Sequence, residues 1–220
     1  MLDHGFLALD GSLASDLAVV NGARVSFNQA SDEMDDRDAG LIRFLMRERH
    51  GSPFEHGYFR FVVKAPLFVV REHHRHRAGH SYNEWSGRYS KMEPEFYVPE
   101  NVRTQVGKPG AYTFEPVEDD VRENAQREIE ESATRAFQAY ERMLEQDVAK
   151  EVARAVLPLS TYTKYYWSCN PRSLMHFCSL RNHEAAQFEI RQYAAAAESF
   201  LEKQMPITHA AFVANDRVAP

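Results

Sequence analysis

The spacing of apolar residues along the chain predicts several amphipathic helices. The longest apolar stripe recurs at helical spacing and predicts a helix from about Val121 to Asp147. A second pattern predicts a helix over residues 38–49, where it stops ahead of a glycine and a proline. Another helix is predicted to begin at Asn170-Pro171, because asparagine caps a helix and proline suits its first turn. The last pattern predicts a helix from about Glu184 to Lys203.

Short β-branched or aromatic segments predict strands between these helices. These segments are Phe6–Leu9, Ala23–Phe27, Tyr58–Ala65 and Glu95–Pro99. Pro66 is placed to open a short helix, Leu67 to His74, directly after the third of them. Residues 102–118, rich in proline, glycine and charge, are predicted to be a surface loop. Because helices and strands occupy separate stretches of the chain, we predict the α+β class.

The composition is typical of a globular protein. With 220 residues, of which 44% are hydrophobic and 26% charged, the chain can bury a substantial core. The net charge of -6 argues against a nucleic-acid-binding module, which would carry a basic surface. No signal peptide is visible, and no apolar run approaches the ~20 residues that a membrane span requires. We therefore expect a soluble, cytoplasmic protein with no nucleic-acid or membrane partner.

The polar segment Arg75–Tyr89 stands apart from the apolar patterns. It holds three arginines, two histidines, a glutamate, an asparagine and two serines. Arginine binds phosphate bidentately, and serine, asparagine and backbone groups beside glycine supply neutral donors and acceptors. A solvated face, with Glu72 and Glu84 pairing the arginines, is the alternative for the charged part alone. The mixed polar residues from Ser81 to Tyr89 favour a pocket for a phosphorylated, heteroaromatic ligand.

A second dense polar patch lies in the segment Asn170–Arg181. Arg172 and His176 share one face of the predicted helix, and Asn170 lies at its positive end. Such a helix start suits an anion or a nucleotide, although arginine on an amphipathic helix is more often a surface residue. Arg154 lies in an apolar run, so it is either paired inside the fold or presented at an interface.

Metal binding and cysteine catalysis are the other chemistries that the sequence raises. Four histidines lie between residues 73 and 80, but the arginines among them would repel a cation. No carboxylate accompanies them in a zincin-like HExxH spacing, and no metal ligand is predicted. Cys178 falls within an apolar helical pattern and Cys169 has no neighbouring base, so both are expected to be structural. Two cysteines without a framework spacing also fit a reducing compartment.

Taken together, the polar patches resemble the signature of the flavin-dependent thymidylate synthases (the ThyX family). The specific element is Arg75-His-Arg, followed after eight residues by Ser86-Gly-Arg-Tyr. Supporting segments in the same order are Ala23–Phe27, His50–His56, Val152–Pro158, Asn170–Met175 and Gln187–Tyr193. The resemblance implies an α+β fold with an antiparallel sheet packed against several helices, in a single domain spanning residues 1–220.

The resemblance also implies a reaction, the reductive methylation of dUMP to dTMP. Methylenetetrahydrofolate would give the carbon unit, reduced FAD the hydride, and NADPH would re-reduce the flavin, with tetrahydrofolate released. No enzyme cysteine takes part in this chemistry, in agreement with structural roles for both thiols. A homotetramer with active sites at subunit interfaces is implied as well. The alternative is a catalytically inactive regulatory homologue that still binds the nucleotide or the flavin.

Carried over residue by residue, the family's motifs assign two groups of site residues. The residues implied for FAD are Ser52, Arg75, His76, Arg77, Glu84, Asn170, Arg172 and His176. The residues implied for dUMP are Glu72, Arg75, Glu84, Ser86, Gly87, Arg88, Arg154 and Arg181, with Arg154 reaching from a neighbouring subunit. Arg181 is implied as the catalytic residue, because a guanidinium on the N3/O2 side of uracil stabilises charge there and makes C5 nucleophilic.

Two departures from the family pattern bear on the affinity for dUMP. Arg77 and Ser86 are separated by one residue more than in the commonest form of the signature, which predicts a bulge around Gly79-His80. Position 72 holds glutamate where the family usually has glutamine. A carboxylate near a phosphate-bearing ligand is unfavourable unless Arg71 or Arg75 neutralises it.

Overall fold

The computed structural model describes residues 1–220 and contains eight helices and six strands. The helices are α1 (Asp16–Arg24), α2 (Asp36–Arg47), α3 (Leu67–His73), α4 (Asp119–Glu145), α5 (Lys150–Ala153), α6 (Pro171–Arg181), α7 (Phe188–Gln204) and α8 (Pro206–Ala214). The strands are β1 (Phe6–Ser12), β2 (Phe59–Pro66), β3 (His80–Glu84), β4 (Arg103–Lys108), β5 (Ala111–Pro116) and β6 (Tyr162–Cys169). None of the helices combines the length and apolar character that a membrane span requires.

The strands form a four-stranded sheet and a hairpin, which confirms the predicted α+β class with antiparallel sheets. The order in the larger sheet is β1-β2-β6-β3. Strand β2 alternates as a half-buried strand should, with Phe59 and Phe61 fully buried and Arg60 exposed between them. In the hairpin, β4 and β5 are antiparallel, with Arg103 opposite Pro116 and Lys108 opposite Ala111.

The chain divides into two compact units. Unit 1 consists of Met1–Phe6, Lys64–Arg71 and Glu84–Tyr165. Unit 2 consists of Leu7–Val63, Glu72–Asn83 and Tyr166–Pro220. The expectation of a single domain over residues 1–220 therefore stays a prediction.

The core of unit 1 forms around α4, which lies within two residues of its predicted bounds. Phe137 and Tyr140 on one face of α4 pack with Met92 and with Ala153 of α5. The Tyr140 hydroxyl also accepts a hydrogen bond from the Met92 backbone N–H at 3.1 Å. These contacts fix the chain just after Arg88 and the helix that contains Glu151.

The core of unit 2 forms between α6 and α7, with the aromatic side chains of β6. Leu174, Phe177 and Cys178 of α6 are fully buried, as is Trp167. Cys169 and Cys178 are buried free thiols, and burial raises the pKa of each well above its usual value. A protonated, buried thiol is a poor nucleophile, so the structure agrees with the structural roles expected for both.

Three predicted elements were wrong. Ala23–Phe27 is the end of α1 followed by a 3-10 turn, because Ser15 caps a helix there by accepting from the Ala18 N–H at 3.1 Å. Glu95–Pro99 is no strand and contributes only an isolated bridge between Phe96 and Thr161. Residues 102–118 hold the β4–β5 hairpin, whose side chains are almost all exposed and therefore show no apolar alternation.

A buried carboxylate joins α7 to α8 and to the residues that follow α8. Glu198 is only 5% exposed and accepts hydrogen bonds from Asn182 Nδ2 at 2.7 Å and from Arg217 Nε at 3.1 Å. His209 Nε2 lies 3.1 Å from the same carboxylate. Burial alone would raise the pKa of Glu198, but the bonds from Asn182 and His209 and the Arg217 charge outweigh it and lower the pKa.

We expect Glu198→Gln to destabilise the protein by about 1–3 kcal/mol at neutral pH, because an amide cannot accept from all three partners. The folded pKa lies below the unfolded value near 4.5, so the carboxylate stabilises the fold fully above that value. This stabilisation is lost as the pH falls through the folded pKa. Urea unfolding measures the difference in the free energy of unfolding between wild type and variant, and this difference should narrow below about pH 4.5. A difference independent of pH would contradict the assignment. Glu202→Gln, on the exposed face of α7, is the control.

Candidate functional site

Unit 2 contains a cavity of about 510 Å³ at the N-terminal end of α6. The residues that line it are Glu55, Ala78, Gly79, Asn170, Arg172, Ser173, His176, Ala219 and Pro220. Three of them, Asn170, Arg172 and His176, belong to the group predicted for FAD. Asn170 is the N-cap of α6, and its Oδ1 accepts from the Ser173 N–H at 2.8 Å. The sequence thus predicted both this helix start and its place at a cavity.

The turn before β3 is pressed against this helix start. His80 N–H donates to the Arg77 carbonyl at 3.2 Å, and Gly79 has a φ of +72°, which glycine adopts without strain. The Ser173 hydroxyl donates to the Ala78 carbonyl at 2.9 Å. A Cβ at Gly79 would collide with the Ser173 hydroxyl. A tight turn over residues 77–80 therefore packs on α6 at the place where the longer spacing predicts a bulge.

Arg172 is held in the cavity wall by three contacts. Its Nη1 donates to Glu55 Oε1 at 2.6 Å, and its Nε donates to the Pro220 carbonyl at 2.6 Å. The guanidinium also lies over Gly51, where an added Cβ would come within 2.5 Å of it. Ser52, predicted to contact FAD, begins the 3-10 turn that contains Glu55 and is itself exposed. Glu55 is a cavity residue that the sequence analysis did not identify.

Arg181, at the end of α6, is fixed by groups from the end of α3 and from the segment that follows it. Its Nε donates to His76 Nε2 at 3.0 Å, and its Nη1 donates to Glu72 Oε2 at 3.0 Å. Burial, together with the Arg181 charge, lowers the pKa of His76 to about 4, so the ring is neutral and can accept. Burial also raises the pKa of Glu72, against the opposing effect of Arg181.

The partner of Glu72 corrects one expectation. The sequence suggests Arg71 or Arg75 as the residue that neutralises this carboxylate, whereas in the structure Arg181 forms its salt bridge. Both nearby arginines are exposed, whereas Glu72 and Arg181 are half-buried, so the carboxylate faces inwards. Arg77 is exposed as well, and the predicted FAD contacts of Arg75, His76 and Arg77 stay predictions.

The neighbouring histidines pack among aromatic rings. His80 Nδ1 accepts from Trp167 Nε1 at 2.9 Å, and the His73 ring lies 4.3 Å from the Trp167 ring. Burial and the nearby His176 lower the pKa of His80 to about 4. Burial likewise holds the pKa of His73 well below its usual value. These neutral imidazoles form the aromatic layer next to the Arg181 contacts.

Unit 1 contains a smaller cavity of about 190 Å³. Its lining residues are Leu67, Glu84, Trp85, Ser86, Gly87, Met92, Arg154, Leu157 and Thr163. Four of them, Glu84, Ser86, Gly87 and Arg154, belong to the group predicted for dUMP. The structure therefore brings these four together within one unit, and it places Glu72, Arg75 and Arg181 in unit 2.

A turn beginning at Ser86 forms the polar edge of this smaller cavity. The Tyr89 N–H donates to the Ser86 carbonyl at 3.0 Å, and the Arg88 N–H donates to the Ser86 hydroxyl at 3.3 Å. A Cβ at Gly87 would come within 3.4 Å of the Arg154 side chain. Arg154 thus lies beside the turn of its own chain, and the expectation that it reaches dUMP from a neighbouring subunit stays a prediction. The 3-10 turn of residues 154–156 places it there.

Three contacts around this turn involve residues that the sequence analysis did not identify. Arg88 Nε donates to Glu151 Oε2 at 3.1 Å, and Lys150 Nζ donates to the Tyr89 carbonyl at 3.1 Å. Thr163 Oγ1 donates to Glu84 Oε1 at 2.7 Å. The partners lie 61 to 79 residues apart along the chain, so no local pattern could reveal them.

Residues 9–207 match the family model described as "Thymidylate synthase complementing protein". The flavin-dependent thymidylate synthase of Streptomyces coelicolor is 48% identical, with 95% of this chain and 91% of that protein covered. The same enzyme of Tropheryma whipplei (strain TW08/27) is 46% identical over 94% of this chain and 91% of its own length. That of Kosmotoga olearia is 42% identical over 97% of this chain and 92% of its own length.

Solved structures show the same similarity. The UMP/dUMP methylase PolB from Streptomyces cacaoi, bound with 5-Br dUMP, matches with a TM-score of 0.92 at 44% identity. The match covers 100% of this chain and 99% of that chain. A second structure of PolB, bound with 5-Br UMP, also has a TM-score of 0.92 and covers 98% of that chain.

Proposed function

The chain belongs to the thymidylate synthase complementing protein family, and we propose that it is a flavin-dependent enzyme that reductively methylates dUMP to dTMP. The observation that carries the proposal is the grouping of the family's motif residues at two cavities, one in each unit. Methylenetetrahydrofolate would be the carbon donor and NADPH the reductant, with tetrahydrofolate as a product. We also propose that the chain works as a cytoplasmic homotetramer with active sites at subunit interfaces.

The cavity of unit 2 has the donors that a flavin dinucleotide requires. The Arg172 guanidinium and the positive end of the α6 dipole would hold the diphosphate, because both favour an anion. Gly79 lines the cavity and, lacking a side chain, lets its turn pack against Ser173, and His176 offers an exposed ring. When bound, FAD supplies the hydride that reduces the transferred carbon unit.

The polar edge of the smaller cavity would bind the phosphate of dUMP. The Ser86 hydroxyl, the backbone of the turn and Arg154 line this cavity, and with Arg88 of the same turn they would form an anion cradle of the kind that phosphates occupy. Glu84 would accept a hydrogen bond from the nucleotide, with its own orientation fixed by Thr163.

Arg181 would act on the uracil ring. Its contacts with Glu72 and His76 use part of the guanidinium and leave its other N–H groups for a substrate. A fixed cation beside N3 and O2 stabilises the charge that builds there and makes C5 the nucleophile towards the carbon donor. Since His76 stays neutral, it holds the guanidinium by accepting and does not compete for the substrate anion.

A tritium-release assay tests the proposal. Purified protein is incubated with C5-tritiated dUMP, FAD, NADPH and methylenetetrahydrofolate, and the nucleotide product is identified. Tritium release with dTMP formed, dependent on both flavin and NADPH, is the expected result. Folded, FAD-loaded protein that gives neither signal would favour the inactive regulatory homologue.

UMP is a second candidate substrate, favoured by one observation. PolB, 44% identical to this chain, is a UMP/dUMP methylase and has been solved with a UMP analogue. C5-tritiated UMP in the same assay tests this candidate, and a kcat/KM for UMP comparable with that for dUMP would support it.

Thr163 provides a test of the nucleotide contacts. Thr163→Val removes the hydroxyl that holds Glu84 but keeps the shape of the side chain, whereas Thr163→Ser keeps the hydroxyl. We expect the dissociation constant for dUMP to rise about 5-fold in the valine variant, the equivalent of about 1 kcal/mol for the lost hydrogen bond. The serine variant should bind as the wild type does. Equal affinities of the two variants in a calorimetric titration would rule out the positioning role.

A further inference from the structure

The carboxylate of Glu151 lies where the proposed phosphate cradle presents its arginine. Glu151 Oε2 is 3.1 Å from Arg88 Nε, and the two side chains are about half exposed, 54% and 52%. Carboxylate and phosphate oxygens accept from the same guanidinium N–H groups. A phosphate that approaches Arg88 therefore meets a side chain already bound there.

The backbone of Glu151 is fixed even though its side chain is exposed. The preceding residue, Lys150, donates from Nζ to the Tyr89 carbonyl at 3.1 Å. Two residues further on, Ala153 is fully buried against Met92 and Tyr140. Helix α5 is thus held in place on both sides of Glu151. The Glu151 side chain can therefore leave Arg88 while the helix stays where it is.

Two carboxylates lie among the cations around the turn. The cations are Arg88, Arg154 and Lys150, and the carboxylates are Glu84 and Glu151. A nucleotide phosphate adds up to two negative charges next to both carboxylates. Glu84 has a separate donor in Thr163, whereas Glu151 is bound to the cradle arginine itself. Glu151 is therefore the group whose charge opposes the phosphate most directly.

We propose that Glu151 is an internal competitor for the phosphate of dUMP, a residue that sets the affinity for the nucleotide by occupying Arg88 until the phosphate displaces it. The inference rests on the proposed function for the identity of the ligand. When the phosphate displaces Glu151 from Arg88, the ion pair that breaks is half-exposed and therefore weak. The freed Glu151 carboxylate is then hydrated. The remaining repulsion between phosphate and carboxylate acts across a short, solvent-screened distance. The competition thus lowers affinity without closing the site.

The test is Glu151→Gln in the FAD-loaded enzyme, with dUMP and inorganic phosphate titrated separately by calorimetry. We expect dUMP to bind about three- to fivefold more tightly than to the wild type at low ionic strength, and inorganic phosphate to follow in parallel. The gain should shrink with added salt, because both the ion pair and the repulsion are screened. Glu151→Ala should change both affinities in the same direction.

Glu141→Gln is the matched control. Glu141 forms a comparable ion pair with Lys91 at 2.7 Å in the same unit, with side chains 41% and 55% exposed, and its partner is not among the residues predicted for dUMP. We expect its dUMP affinity to be unchanged. Unchanged or weaker binding of dUMP by the Glu151→Gln enzyme would overturn the inference and leave the proposed function standing. Protein that binds no dUMP, yet binds phosphate more tightly in the variant, would instead refute the proposed function and support the competitor role.

Discussion

The Arg181→Ala protein is expected to keep its bound FAD and to form dTMP at least about 100-fold more slowly than the wild type. Removing one fixed donor to a developing anion typically lowers turnover by about 10²–10³. Arg181 does not line the 510 Å³ cavity, so the yellow colour and the flavin spectrum should persist. Single-turnover dTMP formation at saturating dUMP separates this effect from a change in substrate affinity.

Two further variants show whether the loss belongs to the guanidinium. Arg181→Lys keeps the charge but cannot contact both Glu72 and His76, so an intermediate turnover is expected. Arg191→Ala, on the following helix, removes an arginine that donates to the Glu184 carbonyl, and its turnover should equal that of the wild type. Normal turnover in Arg181→Ala would refute the catalytic role. Loss of FAD from that variant would instead show that Arg181 acts through the cofactor or the fold.

The fold could be predicted wherever one face of an element is buried by aliphatic side chains. The stripe of α4 predicted a helix two residues from its observed bounds, and Asn170-Pro171 marked the start of α6 correctly. The β4–β5 hairpin escaped prediction because its strands are almost wholly exposed, so burial imposes no alternation on them. Its local signal was Pro109-Gly110 between the two strands, where Gly110 adopts a positive φ.

The sequence identified the motif residues that line the two cavities, but it did not identify which side chains bind each other. The signature and the second patch located residues of both cavities, since those assignments depend on residue type and order along the chain. Which side chain neutralises Glu72 depends instead on a contact with Arg181, 109 residues away. Helical spacing suggested Arg71 or Arg75, because a sequence shows near neighbours and not which side chains turn inwards. The Arg88–Glu151 pair, 63 residues apart, was missed for the same reason.

Gly79 should be the residue outside the arginines whose replacement most weakens FAD binding. We expect Gly79→Ala to raise the dissociation constant for FAD by about 30-fold or more. An alanine at a φ of +72° is strained by about 1–2 kcal/mol. Its Cβ would also collide with the Ser173 hydroxyl and lie 2.9 Å from Asn170 Nδ2, which breaks the bond to Ala78, a loss of about 1 kcal/mol.

We expect Gly79→Ala to lower the affinity for FAD because the groups that the new Cβ displaces line the cavity. Asn170 and Ser173 form the capped start of α6, and a turn pushed off this helix start no longer closes the cavity wall. Titration of the apoprotein with FAD, followed by quenching of flavin fluorescence, measures the affinity. Gly40→Ala is the matched control, since a Cβ there meets nothing within 4 Å and alanine suits the interior of α2.

A double variant separates steric pressure from backbone strain. In Gly79→Ala with Ser173→Ala, the hydroxyl that the new Cβ meets is gone, while the positive φ remains. Partial recovery of FAD affinity over the single variant is expected, because the collision is relieved and the strain is not. No recovery would assign the whole effect to the backbone. Wild-type FAD affinity in Gly79→Ala itself would mean that this turn does not shape the flavin cavity, and that Arg172 and the helix start bind FAD without it.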